Sequence, residues 1–253
     1  MPTLAKAKAR EILRLYCIDS PLELNVEAIA NAEGLIIESS DLSNCVGRSS
    51  FGQGCGIIML STGIKVVGQR RFTIAHEMGH FYNGKNREIF CKAEDLIGAK
   101  SKKNEEDEAN AFAVELLMKK EWFTDFVKDK CPGIGTIKAA AEYFRVSLSA
   151  AAIRYSEAGN FPVAVIMVHK GRVSWSAISE IFPYQYVRRH YPVNSYSEAE
   201  AFYSGRDVNT EPHTVLADSW FLDDRSFRPN HKLVEQCLPM PNYHSVLVVV
   251  WEG

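Results

Sequence analysis

The sequence predicts an α+β fold in two parts, and three features point to it. Apolar residues recur at helical spacing through most of the first 158 positions. Short apolar runs at Leu35–Ile37 and Gly56–Leu60 read as strands among those helices. After Gly159-Asn160-Phe161-Pro162 the texture changes, and Val163–Val168 and Val246–Val250 read as buried strands.

The elements follow in order. Leu4, Ile12, Leu13 and Tyr16 mark a first helix over about 4–17, and a second runs from Pro21 to Glu33. Gly34 stands where a left-handed helix cap is wanted. Asp41–Gly56, rich in Ser and Gly, reads as a loop, and Ile64–Val67 as a short strand. Helices are predicted over Gln69–Tyr82, ending near Asn83-Gly84, and over Asn104–Lys119, with a charged loop between them. Glu121–Lys128 adds a turn or two before the break at Cys131-Pro132-Gly133. Helices at Thr136–Phe144 and Ser147–Glu157 follow. Beyond the boundary, strands run through Val163–Val168, Val173–Trp175 and Val246–Val250. Ser197-Glu198-Ala199-Glu200 fits a capping box opening a helix that ends near Gly205.

Composition narrows the function classes. An apolar fraction of 46% over 253 residues is enough for a real core. A net charge of −2 gives no global pull toward nucleic acid or an anionic membrane. No apolar run reaches membrane-spanning length, and the N-terminus lacks the apolar centre of a secretory signal, so a cytoplasmic protein is expected. The six cysteines form no C-x-x-C pair and read as reduced packing residues.

The chemistry lies in His76-Glu77-Met78-Gly79-His80, an H-E-x-x-H pattern. Residues four apart share a helix face, so the two imidazoles can grip one metal ion. Glu77 can then reach a water at the open coordination position and take its proton as that water attacks a carbonyl. A catalytic zinc site needs a third protein ligand. Ala109, Phe112, Ala113, Leu116 and Leu117 form an apolar stripe on the downstream helix. At about 100° per residue, Glu106 lies roughly 50° from the stripe's centre and Glu108 about twice as far. Glu106 is therefore the expected third ligand, with Glu108 its rival. Asn110, one turn on, can hydrogen-bond a ligand imidazole and fix its orientation.

Two segments, Arg71-Phe72-Thr73-Ile74-Ala75-His76-Glu77-Met78-Gly79-His80 and Glu106-Asp107-Glu108-Ala109-Asn110-Ala111-Phe112-Ala113, continuing to Leu116-Leu117-Met118, resemble the ImmA/IrrE family of metallopeptidases. The second is also similar to the Glu-x-x-x-Asp element of gluzincins, with Glu106 as ligand and Asn110 in the Asp place. Lys119 departs from the family, which often has Pro there. The resemblance implies a small zincin-like metalloprotease domain with a helical extension. It also implies a protein substrate, typically a helix-turn-helix transcriptional repressor, cleaved in stress or mobile-element regulation.

The expected organisation is a metallopeptidase domain over 1–130, a helix-turn-helix-like segment over 131–158 and an α+β module over 159–253 that suits a sensing role. One divalent metal is expected, zinc first, with manganese or iron as alternatives. Ile57, Ile58 and Met59 are expected to receive an extended peptide by strand addition. Tyr82, or a residue of the module beyond 159, is a candidate donor to the oxyanion. Local charge from Ile134 to Glu157 is only +1, from Lys138, Arg145 and Arg154 against Glu142 and Glu157, so direct DNA contact is not expected. The rival readings are a repressor-binding regulator that does not cut its partner, and a DNA-binding regulator.

Overall fold

The structure, a computed structural model, describes residues 3–42, 45–52, 54–83, 88–91 and 104–253, with the backbone alone at 88–91 and 104. The chain divides into two compact units: Met1–Phe123 with Ala140–Ala151, and Thr124–Ala139 with Ala152–Gly253. None of the described helices is long and apolar enough to cross a membrane.

The first unit opens with α1 (Leu4–Leu15), α2 (Val26–Ala32) and β1 (Leu35–Ser40). Between α2 and β1, Gly34 takes a φ of 82°, the left-handed conformation its position was expected to need. β2 (Gly47–Phe51) and β3 (Gly56–Ser61) follow, then α3 (Val67–Tyr82), β4 (Glu88–Cys91) and α4 (Asn104–Leu117). α5 (Lys120–Val127), α6 (Ile134–Tyr143) and α7 (Leu148–Ala158) follow, each divided between the two units. The sheet order is β1-β3-β2-β4, with β1 parallel to β3 and β2 antiparallel to both its neighbours.

α3 is buried continuously from Arg71 to His80. A helix enclosed on all sides is normally apolar. This one carries His76, Glu77 and His80 at no more than 2% exposure, so each needs a partner inside the protein. α4 supplies much of that enclosure, through its apolar stripe and a close crossing at Gly79. A Cβ on Gly79 would lie 2.8 Å from Ala109 Cα and 3.0 Å from Ala109 O. α4 is tied to α1 by Arg10 Nε, which donates to Glu115 Oε1 at 2.7 Å.

Three expectations are corrected in this unit. The strand at Ile64–Val67 is absent: Ile64 N closes a turn on Ser61 O at 3.1 Å, and α3 already begins at Val67. The loop expected over Asp41–Gly56 contains β2. β3 is an interior strand, paired with β1 on one side and β2 on the other. Its backbone ladder is filled, so a peptide cannot add a strand along Gly56–Leu60. Ile58 is fully buried, whereas Ile57 is exposed and Met59 half-buried. The charged segment after Asn83 lies, apart from 88–91, outside the described residues.

The second unit is built on an antiparallel sheet of order β6-β5-β9-β8-β7. Its strands are β5 (Val163–His169), β6 (Arg172–Ile178), β7 (His213–Leu216), β8 (Lys232–Met240) and β9 (Ser245–Trp251), with short helices α8 (Glu198–Tyr203) and α9 (Asp218–Phe221). β5 and β9 are central and buried on both faces, as their unbroken apolar runs predict. Glu235 on β8 is fully buried and accepts from Ser197 Oγ, Trp220 Nε1 and Glu198 N at 2.9, 2.6 and 2.9 Å. That network anchors α8 and α9 to the sheet.

Candidate active site

α3 presents His76 and His80 one turn apart, with their Nε2 atoms 3.0 Å from each other. The rings meet edge to face at 81°. Asn110 on α4 fixes one of them: its Oδ1 lies 2.9 Å from His76 Nδ1 and accepts that N–H. A proton on Nδ1 suits that contact, and in that tautomer His76 Nε2 is free to face a metal ion.

Glu106 sits one turn before Asn110 on α4. Its Oε2 lies 3.3 Å from His76 Nε2 and 3.4 Å from His80 Nε2. At those distances it is within ion-pair reach of both rings, yet that oxygen is buried and makes no directed hydrogen bond. The two imidazoles hold the Glu106 carboxyl well below the usual carboxylate range, against a burial effect of opposite sign. Glu108 is engaged elsewhere, accepting from Ala5 N at 3.3 Å. The structure therefore brings Glu106, rather than Glu108, to the histidine pair, as the helical wheel predicts.

Glu77 is fully buried beside this cluster. The Ser49 hydroxyl on β2 donates to Glu77 Oε2. Glu77 Oε1 is buried with no hydrogen-bond partner among the described residues. A Cβ on Gly47 would come within 3.0 Å of that oxygen and 2.8 Å of Thr73 Cγ2. Gly47 and Ser49 alternate on one face of β2, and together they let the strand lie against the carboxylate. Sequence reasoning missed both, because a Gly/Ser-rich stretch carries no strand signal.

Tyr82 donates its hydroxyl proton to Glu33 Oε2 at 2.7 Å, and Tyr16 donates to the other oxygen of Glu33 at 2.6 Å. Burial, and then Glu33, raise the Tyr82 phenol far above its ordinary value. Its proton is committed to that carboxylate in this structure.

His76, His80 and Glu106 form the one group of three or more potential ligands among the described residues. The donor triangle has sides of 3.0, 3.3 and 3.4 Å. A tetrahedral ion with bonds of about 2.0–2.1 Å has edges of about 3.3–3.4 Å between its ligand atoms. Glu106 Oε2 is buried without a hydrogen-bond partner among the described residues, which is costly without a positive charge beside it. The residues present therefore fit a divalent cation of the zinc type. They define a candidate metal-dependent hydrolytic site of the H-E-x-x-H class.

The comparisons agree with that class. The family model described as the IrrE N-terminal-like domain, Peptidase_M78, matches residues 36–156, and over those residues the chain is similar to that family. The match spans α3 and α4, so the resemblance read from the two sequence segments is borne out. No curated protein gives a match. A solved structure described as a Mycobacterium tuberculosis transcriptional regulator is similar at a TM-score of 0.58 and 14% identity, over 98% of this chain and 76% of that one. At that identity the likeness is one of fold.

Proposed function

We propose that the chain is a metal-dependent endopeptidase whose ion is held by His76, His80 and Glu106, with Glu77 as general base and then general acid. The observation that carries this reading is the convergence of those three donors beside a buried carboxylate with one uncommitted oxygen. When bound, a divalent ion lowers the pKa of water and polarises a carbonyl. Glu77, oriented through Oε2 by Ser49, takes the proton of the attacking water on Oε1 and passes it to the leaving amine. Asn110 keeps His76 in the tautomer that turns Nε2 inward. Zinc suits this donor set best, with manganese and iron as alternatives.

The substrate proposed is a protein, a helix-turn-helix repressor, whose cleavage relieves transcriptional repression in the cytoplasm. The family match, the sequence resemblance and the regulator description of the neighbour support this role. Under this reading the helices at 131–158 make no DNA contact, and the module at 159–253 senses the activating signal. Arg154, which a DNA contact would need, is 2% exposed and donates to Glu157 at 3.3 Å.

The deciding experiment is metal content per chain by elemental analysis, for the wild type beside Glu106→Ala and Glu108→Ala. Near-stoichiometric zinc that falls sharply only in Glu106→Ala is expected. Metal absent from all three chains after reconstitution with zinc or manganese would remove the enzyme reading and leave the repressor-binding regulator. Asn110→Ala is expected to keep the ion but weaken it about 10- to 100-fold, read by chelator competition. Unchanged affinity would mean that the hydrogen bond to Nδ1 does not orient the ligand.

A further inference from the structure

A second polar feature of the first unit lies at the start of α3, where Arg71 stands five residues before His76. It is a cleft of about 340 Å³ whose lining includes Leu24, Glu27, Arg70, Arg71 and Arg145. The geometry points to this cleft as a binding site for a phosphate-type oxyanion, held between the buried Arg71 and the exposed Arg145.

Arg71 is 7% exposed. Its Nη1 donates to Leu24 O at 3.0 Å, but Nε and Nη2 are buried with no hydrogen-bond partner among the described residues. Leaving two guanidinium donors unsatisfied in a buried position is a large cost for a side chain that only caps one carbonyl. The acidic residues of the cleft do not cancel it. Glu27 accepts from Arg70 Nε at 2.9 Å. Glu23 is turned onto the backbone, accepting from Asp19 N and Ser20 N at 3.1 and 3.2 Å. Among the described residues neither Arg71 nor Arg145 has an ion-pair partner of its own, although the Glu27 charge also acts on Arg71. Burial, and then the Arg145 charge, lower the Arg71 guanidinium to about 10, so it stays charged at neutral pH.

Arg145 is also held in an unfavourable backbone conformation. α6 ends in paired hydrogen bonds, Arg145 N to Glu142 O at 3.1 Å and Val146 N to Ala141 O at 3.0 Å. This is the pattern in which the residue after the cap is usually glycine. Arg145 occupies that place with a φ of 54°, which an L side chain rarely adopts. The turn is pressed onto α3 at Gly68, where a Cβ would lie 2.5 Å from Val146 C and 2.7 Å from Ser147 N. The fold therefore accepts backbone strain and like-charge repulsion to keep a second guanidinium beside Arg71. Planar N–H forks match phosphate oxygens, and two of them balance two negative charges.

The test is thermal melting of the full chain in inorganic phosphate, against chloride and acetate at matched ionic strength. A saturable rise specific to phosphate is expected, about 3–6 °C at ten times the half-saturating concentration. Arg145→Gly should melt at or above the wild type in chloride, because it relieves the left-handed strain, and should lose the phosphate response. That variant leaves His76, His80 and Glu106 in place, so a response surviving in it would locate phosphate at the His–Glu cluster and overturn the proposal. A shift no larger than with chloride would overturn it, and an equal shift with acetate would overturn the phosphate assignment. Arg71→Met should also lose the response.

Discussion

Glu77→Gln is expected to slow peptide-bond hydrolysis by about 10²- to 10⁴-fold, the usual contribution of a positioned acid–base group, while leaving metal content near that of the wild type. The expectation rests on where the carboxylate sits. Glu77 is outside the donor triangle, so exchanging it does not remove a ligand. Gln is nearly isosteric, and its amide oxygen can keep the Ser49 hydrogen bond. What is lost is the proton acceptor at Oε1. The change also removes a buried negative charge with one unsatisfied oxygen. The metal-free variant should therefore be at least as stable as the metal-free wild type, in line with the cost that catalytic groups impose on a fold. Cleavage of a candidate repressor and metal content are measured on the same preparations. Full repressor release by Glu77→Gln would sink catalysis and favour capture without cutting. Simultaneous loss of metal and activity would show instead that Glu77 supports the ligand shell.

The two chemistry-bearing helices were legible because periodicity and spacing agree there. The i, i+4 relation of His76 and His80 and the apolar stripe of α4 place the ligands before any coordinates are known. Elements that depart from such patterns were not legible, and the departures have identifiable causes. β2 is hidden because its inward positions, Gly47 and Ser49, serve Glu77 rather than an apolar core. β8 is hidden because alternation places Glu235 on the buried face, and Pro239 interrupts the strand signal. Its carboxylate is satisfied by Ser197, Trp220 and Glu198, groups far away in sequence. The interior place of β3 depends on which strands flank it, and one of those was β2. The error about peptide docking therefore followed from the missed strand. Arg71 and Arg145, 74 positions apart, show no spacing that would link them; the close approach at Gly68 does so.

Gly79→Ala is expected to destabilise the chain, although helix propensity alone predicts the opposite. In an exposed helix interior the change stabilises by up to about 1 kcal/mol. At Gly79 the new Cβ would meet Ala109 Cα at 2.8 Å, Ala109 O at 3.0 Å and Ala109 Cβ at 3.2 Å. Two of those atoms are backbone, so no side-chain rotation relieves the contact and α3 and α4 must separate. Overpacking of this kind costs about 1–3 kcal/mol, which outweighs the propensity gain. The separation also acts on the site. Ala109 lies between Glu106 and Asn110 on α4, so moving it lengthens the 3.3 and 3.4 Å approaches of Glu106 to the imidazoles. Metal affinity should then fall together with stability. Urea unfolding of the metal-free chain reads the first effect, and chelator competition reads the second. Gly135→Ala is the control: it sits in α6 with nothing within 4 Å of an added Cβ, and it should stabilise by about 0.5–1 kcal/mol. If Gly79→Ala behaved like that control and kept its metal, the close crossing at Ala109 would not be what delivers Glu106 to the histidine pair.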